Sequence, residues 1–375
     1  MKNILLHTPE GVRDIYGNEL AGKEHIEQVI GEKLSCFGYE SIETPTFEFF
    51  DVFSKEIGTT PSKELYKFFD KEGNTLVLRP DFTPSIARCA AKYYMDETQP
   101  IRFCYKGNTF INTGSLQGKL KEVTQMGAEL MNDASVEADA EMIALVVESL
   151  LQTELKEFQI SIGEVEYFKG LCEEAGLSLE TVEDLRELIS GKNLFGAEEL
   201  LKERNVCAEE RERLLKISDF FGAVEILDEA EDQVHNETSK RAVSHLKKLY
   251  EVLKAYGVEK YVSFDLGMLS KYHYYTGVIF KAFSYGVGDA IVKGGRYDKL
   301  LGCFGKSAPA IGFAVVIDDL LLSLERQNGT YQEKPVVQKI TYTESNYTEK
   351  LKTAQALRSE GKRVALIPES ERTEV

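Results

Sequence analysis

The sequence predicts an α+β protein: an antiparallel sheet flanked by helices, with a helical insertion and a short α/β tail. Three observations predict it. Two strand-like runs, "PIRFCYKGNTFIN" and "LKEVTQMGAELMN", surround the polar loop "TGSLQGK", as an antiparallel pair requires. Helix follows helix from about 167 to 257, without strand alternation. Strands then return, so the order is strands, helices, strands; regular β–α alternation, the mark of a doubly wound sheet, is missing. Residues 1–330 are expected to form one domain carrying the insertion, and 331–375 a strand–helix–strand tail.

The elements follow in order. After a turn-rich start, "GNELAGKEHIEQVIGEKLSCFG" reads as an amphipathic helix closed by Gly38. "YESIETPTFEFFDVF" reads as a strand interrupted by Pro45, which suits an edge or an interface. "NTLVLRPDFTPSIARCAAKYYM" is strand, turn and helix, with Pro80 and Pro84 bracketing the turn and Asp81 or Thr83 able to cap the helix. "SVEADAEMIALVVESLLQTEL" has a broad apolar helical face, and "FQISIGE" is a strand. Beyond the insertion, "KYVSFDLGML", "YYTGVIFKAFSYG" and "GDAIVKGG" are strands, and "PAIGFAVVIDDLLLSLE" is a strand running into a helix. The tail reads "VVQKITYT", "NYTEKLKTAQALRSEG", "RVALIPE", about half of a small parallel α/β domain.

Composition narrows the function classes. With 45 basic and 62 acidic residues the net charge is −17, which disfavours nonspecific binding to nucleic acid or anionic membrane. Cys36, Cys89, Cys104, Cys172, Cys207 and Cys303 are scattered without a C-x-x-C pair, so free thiols in a reducing compartment are expected, and neither metal nor cofactor. "MKNILLHTPEGVRD" has too short an apolar run for a signal peptide, and no stretch reaches the ~20 apolar residues of a membrane span. A soluble, cytoplasmic protein is expected.

One strand carries the chemistry. In "VTQMGAELM" the even positions Thr124, Met126, Ala128 and Leu130 are mostly apolar, while the odd ones include Gln125, Gly127 and Glu129. Taken alone, that second face is equally a solvated strand surface. The glycine, however, leaves room between an amide and a carboxylate. "YHYYTG" adds a polar-aromatic cluster.

"TPEGVRDIYG", "FGYESIETPTFE", "LRPDFTPSIAR", "QMGAE", "YYTGVIF", "KGGRYD" and "AIGFAVVIDDLL" occur in the order and spacing of the histidyl-tRNA synthetase catalytic domain, over about residues 5–325. The resemblance implies the class II aminoacyl-tRNA synthetase fold, with a self-dimer through the segment around "YESIETPTFEFF". It also implies histidine contacts: Asp81 (Glu in the enzyme), Thr83 and Gln125 on the α-ammonium, Glu129 and Tyr275 on the imidazole nitrogens, Tyr274 lining the pocket. The residues alone leave Asp81 open as a helix cap, the tyrosines as core packing, and Arg296 with Asp298 as a turn-stabilising pair.

The departures from the synthetase concern phosphate. Ile111 stands where the motif 2 arginine is expected, and Thr113 where a glutamate follows. Asp318 and Asp319 replace the motif 3 Glu-Arg, and Ser270 replaces the arginine before the tyrosine segment. Adenylate formation builds negative charge on phosphate, and losing one pre-placed donor costs about 2.7–4 kcal/mol of barrier. Lys271 could compensate for one lost arginine, not three.

An amino-acid pocket without ATP chemistry, followed by a truncated tail, is similar to the family of ATP phosphoribosyltransferase regulatory subunits. That resemblance implies a non-catalytic chain of histidine biosynthesis in a hetero-octamer with a short-form catalytic subunit. L-Histidine would be the effector, and the loop "TGSLQGK" the mobile element. The alternative is a synthetase-like protein that activates histidine or senses tRNA; it would need the lost arginines, a complete anticodon domain or a basic surface.

Overall fold

The computed structural model describes residues 6–53, 60–114, 120–269, 274–329 and 331–369. Helix α1 (Gly17–Cys36) sets Ile26, Ile30 and Leu34 on one stripe, all fully buried. It stops where Gly38 takes a φ of +78°, which a side chain would strain. Pro45, which has no N–H for a ladder, separates β1 (Glu40–Ser41) from β2 (Phe47–Phe49). β2, β3 (Lys67–Phe69) and β4 (Thr75–Leu78) make a small antiparallel sheet in the order β2-β4-β3. The alternation pattern does not foresee β3, because three residues carry barely one period.

Next come α2 (Thr83–Tyr93), with Pro84 in its first turn, and the paired strands β5 (Ile101–Phe110) and β6 (Glu122–Met131). α3 (Val136–Gln152) is capped by Ser135, whose Oγ accepts from the Ala138 N–H at 3.2 Å. β7 (Phe158–Glu164) leads into the helical segment: α4 (Val165–Glu174), α5 (Leu179–Ser190), α6 (Leu194–Glu203) and α7 (Ala208–Lys216). The two-residue β8 (Phe221–Gly222), α8 (Ile226–Asp232) and α9 (Glu237–Tyr256) complete it. α9 buries Ala242, Val243, Leu246, Leu249 and Leu253, a spacing of one to four that keeps a single apolar stripe. β9 (Val262–Asp265), β10 (Val278–Ser284), β11 (Val292–Arg296), β12 (Ala310–Val316) and α10 (Ile317–Asn328) follow.

Among the described residues, nine strands form one sheet in the order β1-β5-β6-β12-β11-β10-β7-β9-β8. It is mixed, since β1 runs parallel to β5 and β7 parallel to β9, while its other pairs are antiparallel. On one face, α3 and α10 lie against β12, α10 against β6, and α9 against β7. That face takes the even positions of β6: Met126, Ala128 and Leu130 are buried there. α2 crosses the opposite face, where Phe82 stacks on Tyr105 with ring centroids 4.4 Å apart.

Ile15–His25 cluster with the described residues of the tail as a second compact unit. There the Lys334 N–H donates to Asn18 Oδ1 at 3.0 Å, and the His25 and Tyr331 rings lie 5.7 Å apart. β13 (Gln338–Tyr342) and β14 (Val364–Pro368) pair in parallel around α11 (Tyr347–Ser359). Among the described residues no helix is long and apolar enough to cross a membrane, and no cluster of three His, Cys, Asp or Glu could hold a metal.

Candidate functional site

The site lies on the sheet face that α2 crosses. Residues directly opposite in antiparallel strands share a face. Gln125 sits opposite Gly107 and Val316, Gly127 opposite Tyr105 and Ala314, and Glu129 opposite Phe103 and Gly312. Gly312 in turn faces Gly295 on β11. The floor therefore holds four glycines, and three of them are required by what lies above. A Cβ on Gly127 would overlap the Tyr105 ring and the Phe313 carbonyl, and one on Gly312 would overlap the Glu129 carboxyl. On Gly295 it would come within 2.7 Å of the Tyr275 ring.

Glu129 is the deep end of this face, at 1% exposure. Thr83 Oγ1 donates to its Oε1 at 2.7 Å, and the Tyr297 hydroxyl donates to Oε2. Burial pushes the carboxyl up to about 8; the Tyr297 and Thr83 hydrogen bonds pull the other way, and the Asp81 charge adds to the rise. Burial likewise raises the Tyr105 and Tyr297 hydroxyls, next to the Glu129 charge.

The residues named from sequence come together here. Thr83 opens α2 and touches Glu129 directly. Asp81 lies just before α2, and its Oδ1 accepts from the N–H groups of Phe82 at 2.6 Å and Thr83 at 3.3 Å, a local turn ahead of the helix; the N-cap position is Phe82, and no side chain caps it. Gln125 Oε1 is buried with no hydrogen-bond partner among the described residues. The Tyr274 and Tyr275 rings stand 4.5 Å apart, and Tyr274 is 6.0 Å from Tyr297.

Sequence reasoning missed Tyr297, Tyr105 and Gly312. Tyr297 was hidden in "GGRYD", which reads as a turn, and Tyr105 in a strand with no visible partner. The signal for Gly312 is only its register opposite Glu129, which pairing must supply.

Of the synthetase phosphate positions that the structure describes, none of Ile111, Thr113, Asp318 and Asp319 carries a cationic side chain. Ile111 bonds its N–H to the Lys121 carbonyl at 2.9 Å. Asp318 Oδ2 accepts from the Thr124 N–H at 2.8 Å, and its Oδ1 is 4.0 Å from Arg13 Nη2. Ser270 and Lys271 lie outside the described residues, as do Ser115–Lys119 of the loop expected to be mobile.

Beneath the floor a buried charge network fixes the Tyr275 segment. The Thr276 N–H donates to the Arg296 carbonyl at 2.8 Å, and the Asp298 N–H to Thr276 Oγ1 at 3.0 Å. The Arg296 guanidinium reaches Asp139 on α3 and Asp298 at 3.2 Å, so this arginine has the structural role. Its partner Asp139 also meets His245 of α9, whose Nδ1 is 3.0 Å from Glu164 Oε2.

The arrangement offers a carboxyl, an amide oxygen and tyrosines around a glycine floor, and a polar, partly cationic small molecule suits it.

The profile of the family described as histidyl-tRNA synthetase matches residues 11–320. An ATP phosphoribosyltransferase regulatory subunit from Acetivibrio thermocellus is 42% identical over 95% of this chain and 85% of its own. One from Ruminiclostridium cellulolyticum is 41% identical over 96% of this chain and 86% of its own. The crystal structure of an ATP phosphoribosyltransferase regulatory subunit/histidyl-tRNA synthetase from Bacillus halodurans C superposes with a TM-score of 0.89 at 33% identity, covering 100% of this chain and 96% of that one. The chain has the class II synthetase-like α+β fold and belongs to the ATP phosphoribosyltransferase regulatory subunits, within the histidyl-tRNA synthetase family.

Proposed function

We propose that this chain is the non-catalytic partner of a short-form ATP phosphoribosyltransferase catalytic subunit in the cytoplasm, in a hetero-octamer. It permits activity of that subunit and transmits feedback inhibition by L-histidine. The ligand lies across the glycine floor. Asp81, Thr83 and Gln125 hold the α-ammonium, Glu129 and Tyr275 the imidazole, and Tyr274 lines the pocket; Tyr297 orients Glu129.

The observation that carries this reading is the acceptor Gln125 Oε1, unpaired among the described residues and on the same strand face as Glu129. A buried acceptor without a donor costs about 1–3 kcal/mol, and an ammonium N–H removes that penalty. Thr83 is compatible with the same ligand, because a hydroxyl that donates to Glu129 still has lone pairs for an ammonium. The described phosphate positions hold Ile111 and Asp318, which supports binding without adenylation.

The test combines two assays on the purified chain. Calorimetry should show L-histidine binding without ATP, and mixing with a short-form catalytic subunit should yield activity that histidine inhibits. Histidine-dependent ATP–pyrophosphate exchange above a no-protein blank would instead revive the synthetase reading.

A further inference from the structure

The pocket carboxyl has an unusual setting for a cation receptor. Glu129 makes no ion pair among the described residues; its hydrogen-bond partners there are two hydroxyls, Thr83 and Tyr297, one on each oxygen. The groups that face it are Asp81 before α2, Tyr105 on β5 and Tyr297 after β11, with Tyr275 beside both tyrosines. Each of these is an acid, and none supplies a positive charge. A bare carboxylate buried among acids is costly, so the free pocket favours the protonated form.

We propose that the pocket takes up histidine together with a single proton, held between the Glu129 carboxyl and the imidazole. The inference rests on the histidine reading above and deepens it. In the free state near neutral pH the proton sits on Glu129 Oε2 and is donated to the Tyr297 hydroxyl oxygen, a contact that reverses once the carboxyl ionises, and the ligand ring is neutral. On binding, the proton moves from the carboxyl oxygen toward the ring nitrogen, leaving an imidazolium–carboxylate pair. No proton enters or leaves the solvent. The ligand thus brings the counter-charge that the protein lacks, while Thr83 and Tyr297 stabilise the anion as it forms.

Two consequences follow. The ring must be basic enough to accept the proton, so the site selects against rings of the same shape that stay neutral. Binding must also depend on pH on both sides of a plateau. An imidazole titrates near ~6.5 and the carboxyl at about 8, so the plateau lies between these values. Below it both partners are protonated, and one proton is released per histidine; above it both are deprotonated, and one is taken up.

The test is calorimetric titration of the full chain with L-histidine at pH 5.5, 7.2 and 9, in buffers of different ionisation enthalpy, with Glu129→Gln in parallel. The expected result is release of one proton at the lowest pH and no net exchange at 7.2. Uptake at the highest pH should exceed that of Glu129→Gln, which shares only the titration of the ligand α-amino group. Affinity should fall about tenfold per pH unit beyond each edge of the plateau. 1,2,4-Triazolylalanine, whose ring stays neutral, should bind at least about tenfold more weakly at pH 7.2. Proton uptake at pH 7.2 would mean a carboxylate already ionised and would overturn the proposal. So would equal alkaline uptake in both proteins, or triazolylalanine binding as tightly as histidine. Absence of histidine binding at every pH overturns the histidine reading itself and this inference with it.

Discussion

Arg296 and Asp139 form a buried ion pair in which Nε and Nη2 both donate to Asp139 Oδ1, at 2.9 and 2.6 Å. Oδ2 is left to His245 Nε2, an ion pair at 3.0 Å. His245 thereby stands between two buried carboxylates, Asp139 and Glu164. It ties α9 both to α3 and to the end of β7.

The first prediction concerns pH. Burial pulls the His245 pKa down, but its contacts with Asp139 and Glu164 more than offset this and raise it to about 10. A raised folded-state pKa stabilises fully below the unfolded value of ~6.5 and loses that contribution as pH climbs through the folded one. Between these limits the folded state holds the extra proton, so stability falls by up to about 1.4 kcal/mol per pH unit. Burial raises the Glu164 carboxyl, which opposes folding above its unfolded pKa and adds little further slope once both states are ionised. Urea unfolding at pH 7, 8, 9 and 10 should show a steeper loss in the wild type than in His245→Gln. The variant should be about 3–5 kcal/mol less stable at pH 7, because a buried carboxylate loses its counter-ion. Parallel profiles would contradict the assignment of His245 as a cation.

A second prediction addresses the floor. Gly312→Ala places a methyl group on the Glu129 carboxyl and 2.9 Å from the Ala128 carbonyl. Overpacking of this kind costs about 1–3 kcal/mol. Melting temperature and histidine affinity should both drop, whereas Gly302→Ala, with nothing within 4 Å of the new Cβ, should change neither. Equal histidine affinity in Gly312→Ala and wild type would separate Glu129 from the ligand.

A third concerns self-association. Phe47 and Phe49 of β2 are 53% and 55% exposed, and Phe47 meets Phe68 edge-on at 5.8 Å. With the exposed Phe68 and the half-buried Leu78 on the same face of the small sheet, they form an apolar patch of the kind that marks an interface. The chain should sediment as a dimer at micromolar concentration, and Phe47→Ser with Phe49→Ser should shift it to monomer. A monomeric wild type would remove the expected dimer.

Sequence made much of this legible, for identifiable reasons. Period-two alternation in β6 put Gln125 and Glu129 on one face, and the register places them there. Motif spacing brought Thr83 and the tyrosine segment into the same account. What escaped depends on pairing between distant strands or helices. The parallel ladders of β1 with β5 and β7 with β9 leave no local trace. The network of Asp139, Glu164, His245 and Arg296 draws on four separate elements, and of these only Arg296 stands out in its own segment, as the partner of Asp298. Tyr297 escaped because its hydroxyl partner, Glu129, is 168 residues away.

The last prediction links the departed motif 3 to the pocket. β12 ends at Val316, opposite Gln125, so the Thr124 N–H one residue earlier on β6 finds no strand partner there. Asp318, in the first turn of α10, supplies the acceptor at 2.8 Å. An acidic side chain is also favoured at a helix N-terminus, where the backbone N–H groups point outward. The position thus serves to anchor the start of β6, immediately before the amide that faces the ligand. Asp318→Ala removes the acceptor and leaves a backbone N–H unpaired, at a cost of about 1–3 kcal/mol. Loosening at Thr124 should carry over to its neighbour Gln125, so histidine should bind several-fold more weakly. Asp318→Asn keeps an oxygen for the same N–H and should retain most of the stability and affinity. Urea unfolding and calorimetry on both variants decide the matter: if alanine and asparagine behave alike, the hydrogen bond to Thr124 is not what holds the strand.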